Sequence, residues 1–111
     1  MNIAEQDYGA VRVLKPMGPL TRDGADDLKQ RIRALLESGL ARCVVDASAV
    51  PYADSRGLEV LVEANEEMAR TGHPLKLCGT GETLRQALEL TGLAPQFEFF
   101  ADVGAAVRSF L

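Results

Sequence analysis

The chain has 111 residues, 47% of them hydrophobic, with 12 basic and 16 acidic side chains and a formal net charge of -4. That length reads as one domain, residues 1–111, with enough apolar residues for a core that needs neither disulfides nor a metal. The excess of acid argues against a nucleic-acid binder or an anionic-membrane binder and fits a chain that docks on another protein, while no apolar run reaches the roughly 18 residues of a membrane span, so no direct membrane insertion is expected.

From Ile3 to Pro16 the sequence shows two extended runs broken at Tyr8-Gly9, and the alternation in Val11-Arg12-Val13 suits a half-exposed strand near a sheet edge. Pro16-Met17-Gly18-Pro19 stops regular structure. Thr21 or Asp23 is placed to cap a helix whose apolar face is Leu28, Ile32, Leu35 and Leu36, with Asp26 and Asp27 in its first turn and Ser38-Gly39 as its stop. Leu40 to Ala47 reads as a buried strand, and Pro51 keeps the following residues out of a central ladder.

The chain is organised around the next stretch, Tyr52-Ala53-Asp54-Ser55-Arg56-Gly57-Leu58. It joins the buried strand to a helix whose inner face, by spacing, is Leu58, Leu61, Val62 and Met68, and which ends near Thr71-Gly72. Asp54 and Ser55 are helix-capping residue types at a helix start. The unpaired N–H groups and partial positive charge of such an end would equally welcome a phosphate on the Ser55 hydroxyl. His73 beside Pro74 reads as a solvated loop residue with no ligand partner at metal spacing. Leu75 to Cys78 is a further strand, and Gly79-Thr80-Gly81 opens a helix striped by Leu84, Ala87, Leu88 and Thr91, with Gly92-Leu93 as a stop. The third glycine of a dinucleotide fingerprint is replaced by Leu84, so that reading is set aside. Gln96 to Phe100 gives a last short strand, and Asp102 caps a final helix facing inward through Val103, Ala106, Val107 and Phe110.

Strands alternating with helices in the order β-β-α-β-α-β-α-β-α predict an α/β domain, a mostly parallel sheet of about five strands with four helices. Leu35, Val45, Leu61, Leu77 and Leu88 are expected in its core. Cys43 and Cys78 match no zinc or redox spacing and read as reduced core residues of a cytoplasmic chain. The opening residues Met1 to Asp7 lack the pattern of a signal peptide. An enzyme is not expected: a Ser55 nucleophile would need a base, and Asp54 alone stands close, committed to capping. No cofactor or metal motif is present.

The run Val44 to Leu58, with its Asp-Ser-x-Gly-Leu turn after an apolar strand, resembles the signature of STAS domains, the anti-sigma factor antagonists of bacteria and their relatives. The likeness extends through the Gly18-Pro19-Leu20 loop and the helix ending in Thr91-Gly92-Leu93. The resemblance implies a STAS-type fold and partner switching in signal transduction and transcription regulation. In the antagonist branch the serine after the aspartate is phosphorylated by an anti-sigma factor that is also a serine kinase, and a serine phosphatase resets it. Carried over, Ser55 is the phosphoacceptor, with Asp54 its neighbour. Around that turn, Asp54, Arg56 and Gly57 are expected to support the phosphoacceptor, and Thr21, Asp23, Arg56, Leu58 and Glu59 to meet the partner. The chain departs from the pattern at Arg56, where many antagonists carry a second Ser or Thr, and at Thr21, where many carry Asp; both change the surface a kinase would read. Other STAS domains dock constitutively in transporters or signalling assemblies without phosphorylation, which is the alternative.

Overall fold

In a computed structural model describing residues 1–111, the elements follow the expected order: β1 (Ile3–Tyr8), β2 (Val11–Pro16), α1 (Arg22–Glu37), β3 (Arg42–Asp46), α2 (Ser55–Arg70), β4 (Lys76–Cys78), α3 (Glu82–Leu90), β5 (Glu98–Phe100) and α4 (Val103–Arg108). A single 3₁₀ turn, Ala94–Gln96, precedes β5. The strands form one sheet in the order β1-β2-β3-β4-β5. The β1–β2 pair is antiparallel and the other pairs are parallel.

The strand period of two sorts side chains onto two unequal faces. Leu14, Cys43, Val45 and Leu77 point to one face, where α1, α2 and α3 cover them with Leu28, Ile32, Leu35, Leu61, Met68, Leu84 and Leu88. Val11, Val13, Val44 and Cys78 point to the other, covered by α4 through Ala106. Leu35, Val45, Leu61, Leu77 and Leu88 are all buried, as their spacing predicts. Both cysteines are free and buried, one on each face. Burial pushes each thiol up to about 12, so neither reacts readily while covered.

Several local expectations are corrected. β2 lies next to the edge strand β1, near the sheet edge as expected, but it is not half-exposed: Val11 and Val13 are buried on one face and Leu14 on the other. On β1, Glu5 and Asp7 pair with Arg12, and Glu5 also takes Arg31 of α1 at 2.6 Å, so the open edge is lined with charge rather than apolar surface. Because α1 starts at Arg22, only Asp23 stands in its first turn; Asp26 and Asp27 belong to the next. Thr21 holds the N-cap position of α1, but its side chain makes no cap bond, and neither does Asp23 supply one. In α2, Val62 is half-buried, and Val60 and Ala64 take the inner positions beside Leu61. His73 is half-buried, edge-on to Phe110 with ring centroids 5.9 Å apart. Thr91 is exposed and stops α3 by donating its hydroxyl to the Ala87 carbonyl at 2.8 Å. The predicted stop glycines hold: Gly39 (φ 85°) lets the Leu40 N–H return to the Leu35 carbonyl at 3.0 Å, and Gly92 (φ 74°) does the same for Leu93 and Leu88 at 2.8 Å.

Candidate functional site

The turn that opens α2 is built from two loops, not one. After β2 the chain runs through Gly18-Pro19-Leu20, and after β3 it reaches Ala53; Leu20 and Ala53 form an isolated parallel bridge. The Leu20 N–H donates to the Tyr52 carbonyl at 3.0 Å, and the Asp54 N–H donates to the Leu20 carbonyl at 3.1 Å. The loop preceding α1 is thus stitched to the turn preceding α2.

Asp54 then closes both helix starts. It is the N-cap of α2 and its Oδ1 accepts the Gly57 N–H at 2.8 Å. Its Oδ2 accepts the Arg22 N–H at 3.2 Å, which supplies the α1 cap that Thr21 does not. One carboxylate therefore sits at two helix N-termini, where each partial positive charge favours it. Gly57 is needed for a steric reason: a Cβ there would lie 2.0 Å from the Leu20 carbonyl oxygen and 3.0 Å from the Ala53 Cβ. In the Asp-Ser-x-Gly pattern, the Asp caps, the Gly allows the loop to close in, and the first of the two residues between them faces out. That residue, Ser55, is the first of α2 and is exposed.

Arg56 does not reach toward Ser55. Its Nε and Nη2 donate to Asp26 Oδ1 of α1 at 3.0 and 2.8 Å, and its Nη1 donates to Glu59 at 2.6 Å and stands 3.6 Å from Glu63. The hydrogen bonds to Asp26 raise the guanidinium above its ordinary value, and the Asp26, Glu59 and Glu63 charges add to that. Glu63 also takes Lys29 of α1 at 2.7 Å. The Lys29 ammonium beside it, ahead of desolvation acting the other way, holds the Glu63 carboxyl below its ordinary value. Arg56 and Glu63 thus tie α1 to α2 beside the turn.

The structure brings Thr21, Asp23, Asp54, Ser55, Arg56 and Gly57 together around the two helix starts, with Glu59 one turn along α2 and exposed. Leu58 does not join them. It is 9% exposed and belongs to the core, because the first inner position of α2 must face the sheet; it offers a partner no side-chain surface. No cluster of three or more His, Cys, Asp or Glu side chains has the arrangement of a metal site. Sequence reasoning missed Asn65, buried on α2, which donates to the Gln96 carbonyl at 2.9 Å and accepts the Leu75 N–H at 3.1 Å. Its position in the 58, 61, 65, 68 stripe was the available signal.

A family model of the STAS domain matches residues 2–106. Among solved structures, the chain is similar to an anti-sigma factor antagonist from Mycobacterium paratuberculosis, with 25% identity, a TM-score of 0.85, and 97% of this chain and 92% of that one covered. It is similar to a Thermotoga maritima protein described as an anti-sigma factor antagonist, at 21% identity and a TM-score of 0.89, covering 96% of this chain and 92% of that one. It is also similar to the Bacillus cell fate determinant SpoIIAA in its phosphorylated form, at 15% identity and a TM-score of 0.75, covering 97% of this chain and 99% of that one.

Proposed function

The chain belongs to the STAS domain family, and on that premise we propose that it is a protein-binding module that switches partners through phosphorylation of Ser55. The observation that carries this reading is the exposed Ser55 hydroxyl on a turn pinned on both sides by Asp54 and Gly57. In this reading the partner is an anti-sigma factor with serine kinase activity, a serine phosphatase restores the hydroxyl, and the site lies in a bacterial cytoplasm. The chain itself performs no catalytic step. No helix is long and apolar enough to cross a membrane.

A phosphate on Ser55 adds about -1.5 to -2 charges. The α2 N-terminus favours it, but Asp54, which holds the Arg22 and Gly57 N–H groups, repels it with its carboxylate. Arg56 is held by Asp26 and Glu59 and can reach the phosphate only by giving those contacts up. The helix end and Asp54 act in opposite directions on the phosphate, so the balance within the domain is small and the fold changes little. The effect falls on a partner face formed by Thr21, Asp23, Arg56 and Glu59 around the hydroxyl. A face fitted to a neutral group that must take in a dianion loses about 3 kcal/mol or more. That is a hundredfold or greater loss of affinity, since about 1.4 kcal/mol is tenfold.

The test is incubation with the kinase and ATP, with phosphate located by mass spectrometry, alongside partner affinities for wild type, Ser55→Ala and Ser55→Asp. Phosphate on Ser55, tight binding of Ser55→Ala and weak binding of Ser55→Asp are expected. Absent phosphate together with equal affinities would establish the constitutive docking subunit instead.

A further inference from the structure

The two faces of the sheet are covered by unequal means. Three helices lie on one face, and a single six-residue helix, α4, lies on the other. Only Ala106 of α4 is fully covered; Val103, Val107 and Phe110 are half-buried. Beneath α4 sits Lys76 of β4, a charged side chain just 8% exposed. Its ammonium donates to Ser109 Oγ at 2.7 Å, lies 3.3 Å from Glu98 of β5, and stands 4.1 Å above the Phe110 ring and 5.4 Å from that of Phe100.

These contacts divide by element. Ser109 and Phe110 lie at the end of α4 and leave with it; Glu98 and Phe100 belong to β5 and stay. A buried leucine here would lose everything on exposure to water. A buried ammonium instead recovers hydration when its cover lifts, and it keeps Glu98 as counter-ion throughout. The group that fastens α4 is therefore also one that lowers the cost of unfastening it.

We propose that α4 is a strap that lifts off the sheet while the rest of the domain stays folded, and that Lys76 is the latch that sets how readily it lifts. Lifting bares Val11, Val13, Val44, Cys78 and Phe100, a second apolar face on the side of the sheet away from α1, α2 and α3. Local opening of this kind is expected where little apolar surface is buried, as under this six-residue helix.

The two cysteines report on the two faces separately. Cys78 lies under α4, whereas Cys43 lies under the main helical layer and is reached only when that layer opens. Both thiols are held up at about 12 by burial and are inert while covered. The intact chain is alkylated with iodoacetamide under native conditions, and the rate at each cysteine is read by peptide mass spectrometry. Cys78 is expected to react about tenfold or more faster than Cys43. The readout for variants is the Cys78 rate itself, with the stability of each variant measured by urea unfolding so that a change in global opening is separated from a change in the lifting of α4. Lys76→Met keeps an apolar stem against Phe110, gains no hydration on opening, and strands nothing, since the Ser109 hydroxyl still donates to the Ala106 carbonyl at 2.6 Å and Glu98 is half-exposed; it should lower the Cys78 rate several-fold. Ser109→Ala removes the closed-state acceptor of the ammonium and should raise it. Equal rates at the two cysteines in wild type, or a Cys78 rate that rises or holds in Lys76→Met, or one that falls or holds in Ser109→Ala, would overturn the proposal.

Discussion

Replacing Gly57 by alanine puts the geometry of the turn to a direct test. In an ordinary helix position the change stabilises, by up to about 1 kcal/mol. Here the new Cβ would stand 2.0 Å from the Leu20 carbonyl oxygen and 3.0 Å from the Ala53 Cβ, and the atom in the way is backbone, which cannot swing aside. Overpacking of this kind costs about 1–3 kcal/mol. Relieving it by moving the loop breaks the bonds that stitch Leu20 to Tyr52 and Asp54, at about 0.5–1.5 kcal/mol each. Either route, set against the helix gain, leaves an expected net loss of about 1–2 kcal/mol. For a domain of this size that lowers Tm by on the order of 10 °C. The assay is urea unfolding with linear extrapolation, backed by a thermal melt. Gly104→Ala in α4 is the comparison, since its closest contact, 3.0 Å, is the movable end of Arg108; it should leave stability within about 0.5 kcal/mol or raise it. A Gly57→Ala protein as stable as wild type would refute the close-approach argument.

Asn65→Ala should cost about 2–4 kcal/mol in the same unfolding assay, because it leaves the Leu75 N–H and the Gln96 carbonyl without their partner; a loss under about 1 kcal/mol would mean that water replaces the side chain. The Glu63 carboxyl, held low chiefly by the Lys29 ammonium paired with it, gives a pH dependence of definite sign. With its folded value below the ordinary 4.5, the unfolded chain binds more protons in that range, so stability rises with pH there. The contribution is fully present above the unfolded value and is lost as pH falls through the lowered folded one. Glu63→Gln should flatten the acid side of a stability–pH curve below about pH 4.5 and leave the slope near neutrality unchanged.

Local rules read much of the fold from the sequence, and long-range ones did not. The order of strands and helices, the glycine stops after α1 and α3, the Asp102 cap and the place of Ser55 all follow from patterns spanning a few residues. What escaped depends on residues far apart in the chain. The cap of α1 comes from Asp54, 32 positions after Arg22, so Thr21 and Asp23 were reasonable but idle candidates. Arg56, expected to support the phosphoacceptor turn, is drawn instead to Asp26 of α1 across a separation of 30. Leu58 stands inside the motif itself, yet the helical period turns it to the core. Lys76 gave no signal, because a strand covered on both faces shows no alternation from which a charged side chain could be placed.

The double attachment of Asp54 bears on how fast a signal could pass through this chain. A turn fixed to two helices and to the neighbouring loop is in its final shape before any partner arrives. Association then needs no loop to order and proceeds close to rigid-body docking. The proposed on and off states differ by a charge, not by a rearrangement, so no slow relaxation separates the enzyme's act from the partner's response. Such a device keeps no record of its own past. With Ser55 phosphorylated as proposed, its output at any moment would follow the ratio of kinase to phosphatase flux, and any delay or threshold in the response would come from those enzymes.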